Sequence, residues 1–235
     1  AASADFEILM VMKHSMEILG IRDFKIHFSH RGIFNTLLQK LKVADKSVTI
    51  LRVVDKLSKV GVEQTRNTLV ELVGEEATDG ILGFIQPGKT LQETLRKMHS
   101  AIGETCEGLQ RLEKIVTYMQ ECAIEESFFL DPSITRGLDY YTGIVYETFL
   151  TDLPDIGSVC SGGRYNDLAS LYTNEKLPGV GSSIGLDRLI TALESLGEVQ
   201  REKSVTDVLI VFMNDAISGY YHKIANQLRQ LGISF

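Results

Sequence analysis

Apolar residues recur at helical spacing over the first part of the chain and then change to alternation. Residues from about 4 to 19 place their apolar side chains on one helical face, which predicts a first helix. Residues 24–28 alternate apolar and polar, as a half-buried strand does, and a second helix is predicted from about 33 to 41. Between them, we treat His30 and Arg31 as structural. The pattern predicts a helix and a strand that support a sheet.

Helical spacing returns over residues 43–105, interrupted by short links that contain glycine. These residues predict a helical insertion with a turn at Gln86-Pro87-Gly88. A longer helix is predicted from about 104 to 122. Charges in the insertion are mixed and include no basic block, so its residues by themselves indicate only a solvent-facing helical surface.

Strand-like stretches follow near residues 126–131, 139–150, 157–162 and 179–185, joined by links of hairpin length. Such short links favour antiparallel pairing, because parallel strands need long crossover connections. With helices expected against one face of this sheet, the predicted fold class is α+β.

The end of the chain predicts a different unit. A helix that starts near residue 186 ends at Gly197, and a charged linker follows over 198–204. Residues 205–212 are predicted as a buried strand, followed by a helix over about 216–231. A further strand is expected to begin at residue 232, which would make this stretch the opening of an α/β unit.

The first candidate site is the stretch from Arg136 to Glu147 at the start of the third predicted strand. If that strand begins at Asp139, Tyr141 points away from Tyr140, because side chains alternate along a strand. The guanidinium of Arg136 precedes a glycine and can fork onto a carboxylate or a phosphate. A half-buried strand with a surface arginine explains the same residues, so this stretch alone leaves both interpretations open.

Two later stretches carry glycines inside predicted strands, at Gly162 and Gly163 and again at Gly181. Glycine weakens a strand and usually marks a bulge, or a place where a ligand or another backbone comes close. Beside a strand that carries tyrosines, these glycines indicate a sheet face hollowed for a small molecule.

Composition excludes several classes of protein. The 235 residues, 44% hydrophobic and 23% charged, are typical of a soluble globular protein with one or two domains. We find no apolar run of about 18 residues, the length that spans a membrane. Three cysteines without a C-x-x-C pair argue against a zinc site and fit a reducing compartment. The net charge of −7 gives no general attraction to nucleic acid.

Three stretches together resemble the histidyl-tRNA synthetases, which are class II aminoacyl-tRNA synthetases. Arg136 to Tyr141 resemble the family's first histidine-specific motif, Ser161 to Tyr165 its second, and Gly181 to Arg188 class II motif 3. All three occur in the family's order and spacing. The resemblance implies a class II antiparallel sheet and an enzyme that activates histidine with ATP to histidyl-adenylate and transfers it to tRNA-His.

The resemblance also implies the setting of that reaction. ATP and Mg²⁺ would be the cofactors, histidine and tRNA-His the partners, and the intact protein a cytoplasmic homodimer with no membrane contact. Residues 1–42 and 106–200 would belong to the catalytic domain, and 43–105 to an insertion that contacts the acceptor arm of tRNA. Residues 205–235 would open the anticodon-binding α/β domain.

Individual residues receive roles by the same resemblance. Arg136 would be the catalytic residue, on the α-phosphate and carboxylate side, and would also bind ATP. Arg188 would meet ATP near the adenine and the γ-phosphate. The expected histidine-binding residues, in which tyrosines bond or line the imidazole pocket and glycines leave room for the substrate, are Tyr140, Tyr141, Gly162, Gly163, Tyr165 and Gly181. No cysteine is assigned to a metal.

The chain departs from the family chiefly in extent. Motif 1, used in dimerisation, and motif 2, which supplies an arginine for the ATP α-phosphate, are not recognised, and most of the anticodon-binding domain is missing. We therefore expect a fragment that is inactive alone. Smaller departures are Asn166-Asp167, where the family usually has Asp-Gly, and Asp187, where it often has Glu.

One alternative stays open within the same fold. A non-catalytic paralogue of the synthetases serves as regulatory subunit of ATP phosphoribosyltransferase in histidine biosynthesis. It keeps a histidine pocket but needs neither the catalytic arginine nor an anticodon-binding domain. Arg136 and the α/β unit predicted from Val205 favour the synthetase.

Overall fold

A computed structural model of the chain describes residues 1–135, 140–199 and 204–235. The described residues form two compact units, Ala1–Ala192 and Leu193–Phe235. The first unit contains the sheet, the helical insertion and all three predicted tyrosines of the candidate site. The second contains the helix predicted near the end of the chain.

Helices account for most of the first unit, and those predicted from periodicity are confirmed with slightly shifted ends. No helix in the described part of the chain is both long and apolar enough to cross a membrane. The helices are α1 (Ala2–Ile18), α2 (Arg31–Lys40), α3 (Ser47–Asp55), α4 (Leu57–Val60), α5 (Val62–Val73), α6 (Glu75–Phe84), α7 (Leu91–Ile102), α8 (Glu107–Glu121), α9 (Leu186–Leu196), whose last residues belong to the second unit, and α10 (Ser218–Gln230) in that unit.

Within the described residues, five strands form one sheet in the order β2–β1–β3–β4–β5. They are β1 (Phe24–His30), β2 (Phe128–Leu130), β3 (Ile144–Leu150), β4 (Cys160–Arg164) and β5 (Val180–Ile184). The α+β class is confirmed. Pairing is antiparallel between β1 and β3, between β3 and β4, and between β4 and β5. The edge pair of β1 and β2 is parallel, which corrects the expectation of a wholly antiparallel sheet. Along the chain, the insertion and α8 come between β1 and β2, and they provide the long crossover connection that parallel pairing needs.

Strand register divides the sheet into two faces. Val145 pairs with Gly163, and Gly163 pairs with Gly181, so all three share one face, which we call the site face. Tyr146 and its partner Gly162 share the opposite face, which we call the helix face. Tyr146 is fully buried, and α1 and α8 contact the strands of the sheet. Burial of the helix face leaves the site face for function.

The segment before β3 differs from its prediction. Strand β3 begins at Ile144, so Tyr140 and Tyr141 precede it, while Asp139 lies outside the described residues. Alternation along a strand therefore does not apply to the two tyrosines. Instead of pointing to opposite faces, their rings pack against each other with centroids 4.5 Å apart.

The second unit has, among its described residues, no strand. The strands expected at 205–212 and from 232 onward are therefore wrong, although the helix between them is confirmed as α10. A strand forms only where a partner pairs its backbone along the whole length. Here the N–H groups of Asp207 and Val208 both donate to the Ser234 carbonyl, at 3.0 and 3.1 Å. Two bonds to a single carbonyl oxygen do not form a ladder of paired strands.

Candidate functional site

Three tyrosine rings meet where the segment before β3 passes the end of β4. Tyr140 packs against Tyr141 and meets Tyr165 edge-on, with the latter pair's centroids 6.4 Å apart. Tyr141 forms a small core with Val145 of the site face, and Tyr165 packs against that core. We call the three rings the tyrosine cluster. The fold thus brings together residues predicted from two separate motifs.

Glycines provide the space in which two of these rings lie. A Cβ atom at Gly163 would lie 2.7 Å from the Tyr141 ring, and one at Gly181 would lie 2.6 Å from the Tyr165 hydroxyl. The room at both glycines is therefore filled by the tyrosines. The expectation that these glycines leave room for a substrate stays a prediction; in this structure they leave room for the two tyrosine rings.

Gly162 lies on the helix face, away from the cluster. A Cβ atom there would lie 2.2 Å from the Gly181 carbonyl oxygen and 2.6 Å from the Tyr146 hydroxyl. That hydroxyl donates to the Gly181 carbonyl at 2.6 Å, and burial raises the pKa of Tyr146, which keeps it a neutral donor. In this structure Gly162 serves the packing of β4 against β5 and Tyr146.

The cluster presents hydroxyl groups at different depths. Tyr141 is only 7% exposed and Tyr140 is 37% exposed. Their hydroxyl oxygens lie 3.5 Å apart, which allows at most a weak hydrogen bond. A phenol hydroxyl both donates and accepts, and a neutral imidazole carries one nitrogen of each kind. The cluster can therefore bind a small planar ring through aromatic contact and through its hydroxyl groups.

A cavity of about 350 Å³ lies on the site face of the sheet. Its lining includes Glu147, Ser161 and Ser183, which pair with one another across β3, β4 and β5. This row lies two residues along each strand from the row of Val145, a distance of about 7 Å. The tyrosine cluster and the cavity are thus neighbours on one surface.

Arg188, in the first turn of α9, lines the same cavity. Its guanidinium is exposed and is oriented by donating to the Ser158 carbonyl oxygen at 3.0 Å. An oriented arginine beside hydroxyl groups suits the binding of a phosphate. Glu147 and Asp187 add negative charge to the lining, which suits a cation that accompanies a phosphate.

A second cavity, of about 510 Å³, also includes Glu147 in its lining. In it, His27 Nδ1 lies 2.9 Å from Asp131 Oδ2, and the imidazole ring lies between two phenylalanine rings. Burial raises the pKa of Asp131, but hydrogen bonds from His27 and Ser133 outweigh it and hold that pKa below its usual value. Sequence reasoning missed this pair, whose signal was a polar residue at an alternating position of β1.

Some expectations fall outside what the structure describes. Arg136 lies outside the described residues, so its catalytic role stays a prediction. Sequence reasoning gave no role to Glu147, Ser161 or Ser183, although alternation along their strands would have placed them on one face. Among the described residues, no group of three or more His, Cys, Asp or Glu side chains is arranged to hold a metal ion.

Comparison with known proteins shows the family of the chain. Residues 1–189 match the family model described as histidyl-tRNA synthetase. Relatives named histidine–tRNA ligase, from Treponema denticola and Rhodopirellula baltica, are 45% and 41% identical over 96% and 98% of this chain. The chain spans about half the length of these relatives, 52% and 53%.

Solved structures give the same result at the level of the fold. The histidyl-tRNA synthetase of Nostoc sp. PCC 7120 matches with a TM-score of 0.79 and 31% identity, over 100% of this chain and 57% of that one. A Bacillus halodurans structure, described as an ATP phosphoribosyltransferase regulatory subunit/histidyl-tRNA synthetase, matches with a TM-score of 0.69. Its 20% identity, over 100% of this chain and 58% of that one, supports a common fold only.

Proposed function

The chain belongs to the histidyl-tRNA synthetase family, and from this premise we propose that it is part of a histidine–tRNA ligase. Such an enzyme joins histidine to ATP, releases pyrophosphate and passes the histidyl group from the adenylate to tRNA-His. In this proposal the intact protein is a homodimer in the cytoplasm. The observation that carries the proposal is the tyrosine cluster beside a polar cavity that Arg188 lines.

In the proposed enzyme, the tyrosine cluster recognises the imidazole of histidine. Tyr141 and Tyr165 offer hydroxyl groups from two different segments, and Gly163 and Gly181 bring both rings close to the sheet. A site that bonds a polar group of its substrate leaves its own groups unpaired when an analogue lacks that group. Discrimination of roughly 10⁴ follows from this effect in polar pockets.

ATP is proposed to occupy the neighbouring cavity. Arg188 would contact it near the adenine and the γ-phosphate, and Arg136 would act at the α-phosphate, where negative charge grows as pyrophosphate leaves. Glu147, Ser161 and Ser183 offer hard oxygen atoms. They fit a Mg²⁺ ion carried on the phosphates, because Mg²⁺ is usually held by one or two carboxylates together with substrate oxygens.

The regulatory-subunit alternative would use the same histidine pocket without ATP chemistry. The distinction is therefore functional, and one assay separates the two. A ligase shows histidine-dependent exchange of pyrophosphate into ATP, whereas a regulatory subunit binds histidine and shows no exchange.

Tyr165→Phe tests the proposed pocket in the full-length protein that carries this chain. The change removes one hydroxyl from the cluster and leaves the ring in place. We expect the KM for histidine in pyrophosphate exchange to rise about tenfold, because a bound imidazole loses a hydrogen-bond partner in a desolvated site. The KM for ATP should change by less than about twofold, since the ATP cavity is separate.

Tyr118→Phe is the matched control. Tyr118 is a half-buried tyrosine of α8 that packs against Phe6, with centroids 5.5 Å apart, and takes no part in the cluster. Its variant should keep both KM values. Unchanged histidine KM in Tyr165→Phe would argue against the pocket. Histidine binding by calorimetry without any exchange in the unmodified protein would favour the regulatory alternative.

A further inference from the structure

A buried ion pair connects α1 to the end of β4. Asp5 is fully buried, and its Oδ1 lies 2.7 Å from both Nε and Nη2 of Arg164, which is itself only 5% exposed. Arg111 of α8 approaches the other carboxylate oxygen, with Nη1 3.7 Å from Oδ2. Within the described part of the chain, Oδ2 accepts no hydrogen bond.

Stability alone does not explain this arrangement. A buried carboxylate and guanidinium both lose their hydration, and well-packed apolar side chains in the same place often give an equally stable core. Here one carboxylate oxygen of Asp5 lacks a hydrogen-bond partner among the described residues, which makes the pair a costly way to fill space. The groups that Arg164 holds in place indicate what the pair does.

Arg164 is hydrogen-bonded to the residues that follow Tyr141 and Tyr165. Its carbonyl oxygen accepts a hydrogen bond from the N–H of Thr142 at 2.8 Å, one residue after Tyr141. Its guanidinium donates to Asn166 Oδ1 at 3.2 Å, one residue after Tyr165. Asn166 and Thr142 are also bonded to each other, because Asn166 N–H donates to Thr142 Oγ1 at 3.1 Å.

Close packing connects Arg164 to the rings of Tyr141 and Tyr165. A Cβ atom at Gly143 would lie 2.9 Å from Arg164 Cδ, so the arginine side chain rests on the backbone of that glycine. Tyr141 in turn lies against Gly163, the residue that precedes Arg164. Tyr165 follows Arg164 directly, and its N–H donates to the Gly179 carbonyl at 2.8 Å. Movement of Arg164 would therefore displace both rings.

We propose that Asp5 is a positioning residue for the histidine pocket, which it maintains by fixing Arg164 through charge. This inference rests on the proposed function and assigns the control of histidine binding to a residue of α1. Arg164 lies in the helix-face register of β4, two residues after Gly162, so Asp5 holds it from the face opposite the cluster. Asp5 therefore acts through Arg164 and touches no substrate.

Asp5→Asn in the full-length protein tests the proposal. Asparagine has the same shape but no charge, so Arg164 loses its counter-ion while the packing of α1 is kept. We expect the KM for histidine in pyrophosphate exchange to rise about tenfold, because small displacements of binding groups reduce affinity strongly. The KM for ATP should change by less than about twofold, because Arg188 and its cavity do not depend on this pair.

A neutral pair provides the rescue. Asp5→Asn combined with Arg164→Gln removes both charges and leaves two amides that can bond to each other. The double variant should show a smaller rise in histidine KM than Asp5→Asn, because no unpaired charge remains inside. It also covers the case in which Asp5→Asn does not fold, since the double variant leaves no buried guanidinium without a counter-ion.

Thr94→Val controls for loss of stability alone. Thr94 is 1% exposed in α7, takes no part in the cluster, and accepts a hydrogen bond from Gly88 N–H at 2.9 Å. This variant loses a buried hydrogen bond and should lower the melting temperature without changing the histidine KM. If Asp5→Asn behaved like Thr94→Val, or raised both KM values equally, the proposal would be overturned.

Fluorine NMR separates this inference from the proposed function. Protein labelled with 3-fluorotyrosine gives resonances that Tyr141→Phe and Tyr165→Phe assign. We expect Asp5→Asn to shift or broaden both resonances, and Thr94→Val to leave them in place. If the unmodified protein lacked exchange activity, the proposed function would fail while these spectra still decided the link. Unchanged resonances in Asp5→Asn would overturn the inference whatever the activity.

Discussion

His30 is buried at the start of α2 and faces two arginines. Its Nδ1 accepts a hydrogen bond from Gly32 N–H at 3.2 Å and so caps the helix. Burial, and then the charges of Arg111 and Arg164, lower the pKa of His30 from 6.5 to about 4. Asp5 is the carboxylate in this group and pairs with both arginines. The imidazole is therefore neutral in the folded protein at pH 7, as its capping role requires.

The lowered pKa of His30 predicts a loss of stability in acid. Between pH 6.5 and about 4 the unfolded chain binds a proton at His30 that the folded protein does not. The free energy of unfolding should therefore fall as the pH drops through this range, by roughly 3 kcal/mol from this residue. Urea unfolding followed by circular dichroism, at pH 7 and at pH 4.5, measures the change.

His30→Asn isolates this effect from other acid-sensitive groups. Asparagine is a good helix N-cap and does not titrate, so the variant should lose less stability between pH 7 and pH 4.5 than the unmodified chain. Any difference already present at pH 7.5 reports packing and capping only. Parallel pH profiles of the two proteins would contradict the assigned protonation of His30.

Strand β4 is an element whose sequence is set by its neighbours on both faces. Gly163 accommodates Tyr141 on the site face, and Gly162 accommodates Tyr146 and the Gly181 carbonyl on the helix face. Neither position requires an unusual backbone angle, since both lie outside the residues with positive φ. The two glycines are therefore required by space, which explains why a strand of low intrinsic propensity persists here.

Gly162→Ala should destabilise the protein by about 3 kcal/mol or more. The added methyl group would lie 2.2 Å from a backbone oxygen of β5, which cannot move without breaking the β4–β5 pairing. Thermal and urea unfolding measure the loss, and reduced protection of β5 amides in hydrogen exchange would locate it.

Gly83→Ala is the opposite case in the same chain. Gly83 lies in α6, and apart from its chain neighbours and the backbone of its own helix, no described atom would lie within 4 Å of an added Cβ. Alanine should stabilise the helix by about 0.5–1 kcal/mol, because glycine loses more backbone freedom on folding. If both variants changed stability equally, the distinction between a filled and an open glycine site would be wrong.

At the scale of the whole chain, the residues form two compact units and match only part of each relative. The chain spans 52% and 53% of the Treponema denticola and Rhodopirellula baltica relatives, so about half of each relative has no counterpart in it. Within the described residues β5 is at the edge of the sheet and is paired on one side only. Ile184 of this strand is 47% exposed, which makes it an apolar position on an open edge.

The 235-residue chain alone should not charge tRNA-His. By the family resemblance, motif 2 supplies an arginine for the α-phosphate, and removing one preorganised donor typically lowers the rate by about 10²–10³. Losses within one constellation do not add simply, so we expect a collapse of charging activity and assign it no combined factor. The measurement compares histidine charging by the chain and by the full-length protein at equal concentration.

Circular dichroism and gel filtration are the controls for that comparison. The chain must be folded, since an unfolded sample would be inactive for a trivial reason. Charging by the folded chain at a rate within about tenfold of the full-length protein would contradict the prediction, because the missing donors would then be dispensable.

Local pattern was sufficient for most elements and for the family. Periodicity predicted α1, α8 and β1, because burial of one side of an element repeats along the chain with its own geometry. Three motifs in order were sufficient to identify the family, since each combines residue types that bind a ligand with the glycines their packing needs. The tyrosines of the candidate site were named on that basis, without knowledge of their contacts.

Contacts between segments that are distant in the sequence could not be predicted from local pattern. Asp5 and Arg164 are separated by 159 positions, and no periodicity connects them. The parallel pairing of β1 with β2, the opposite faces of Gly162 and Gly163, and the packing of Tyr140 on Tyr141 are all set by contacts between distant segments. The apolar run at 205–212 has the pattern of a strand but forms none, because a strand exists only where a partner's backbone bonds to it.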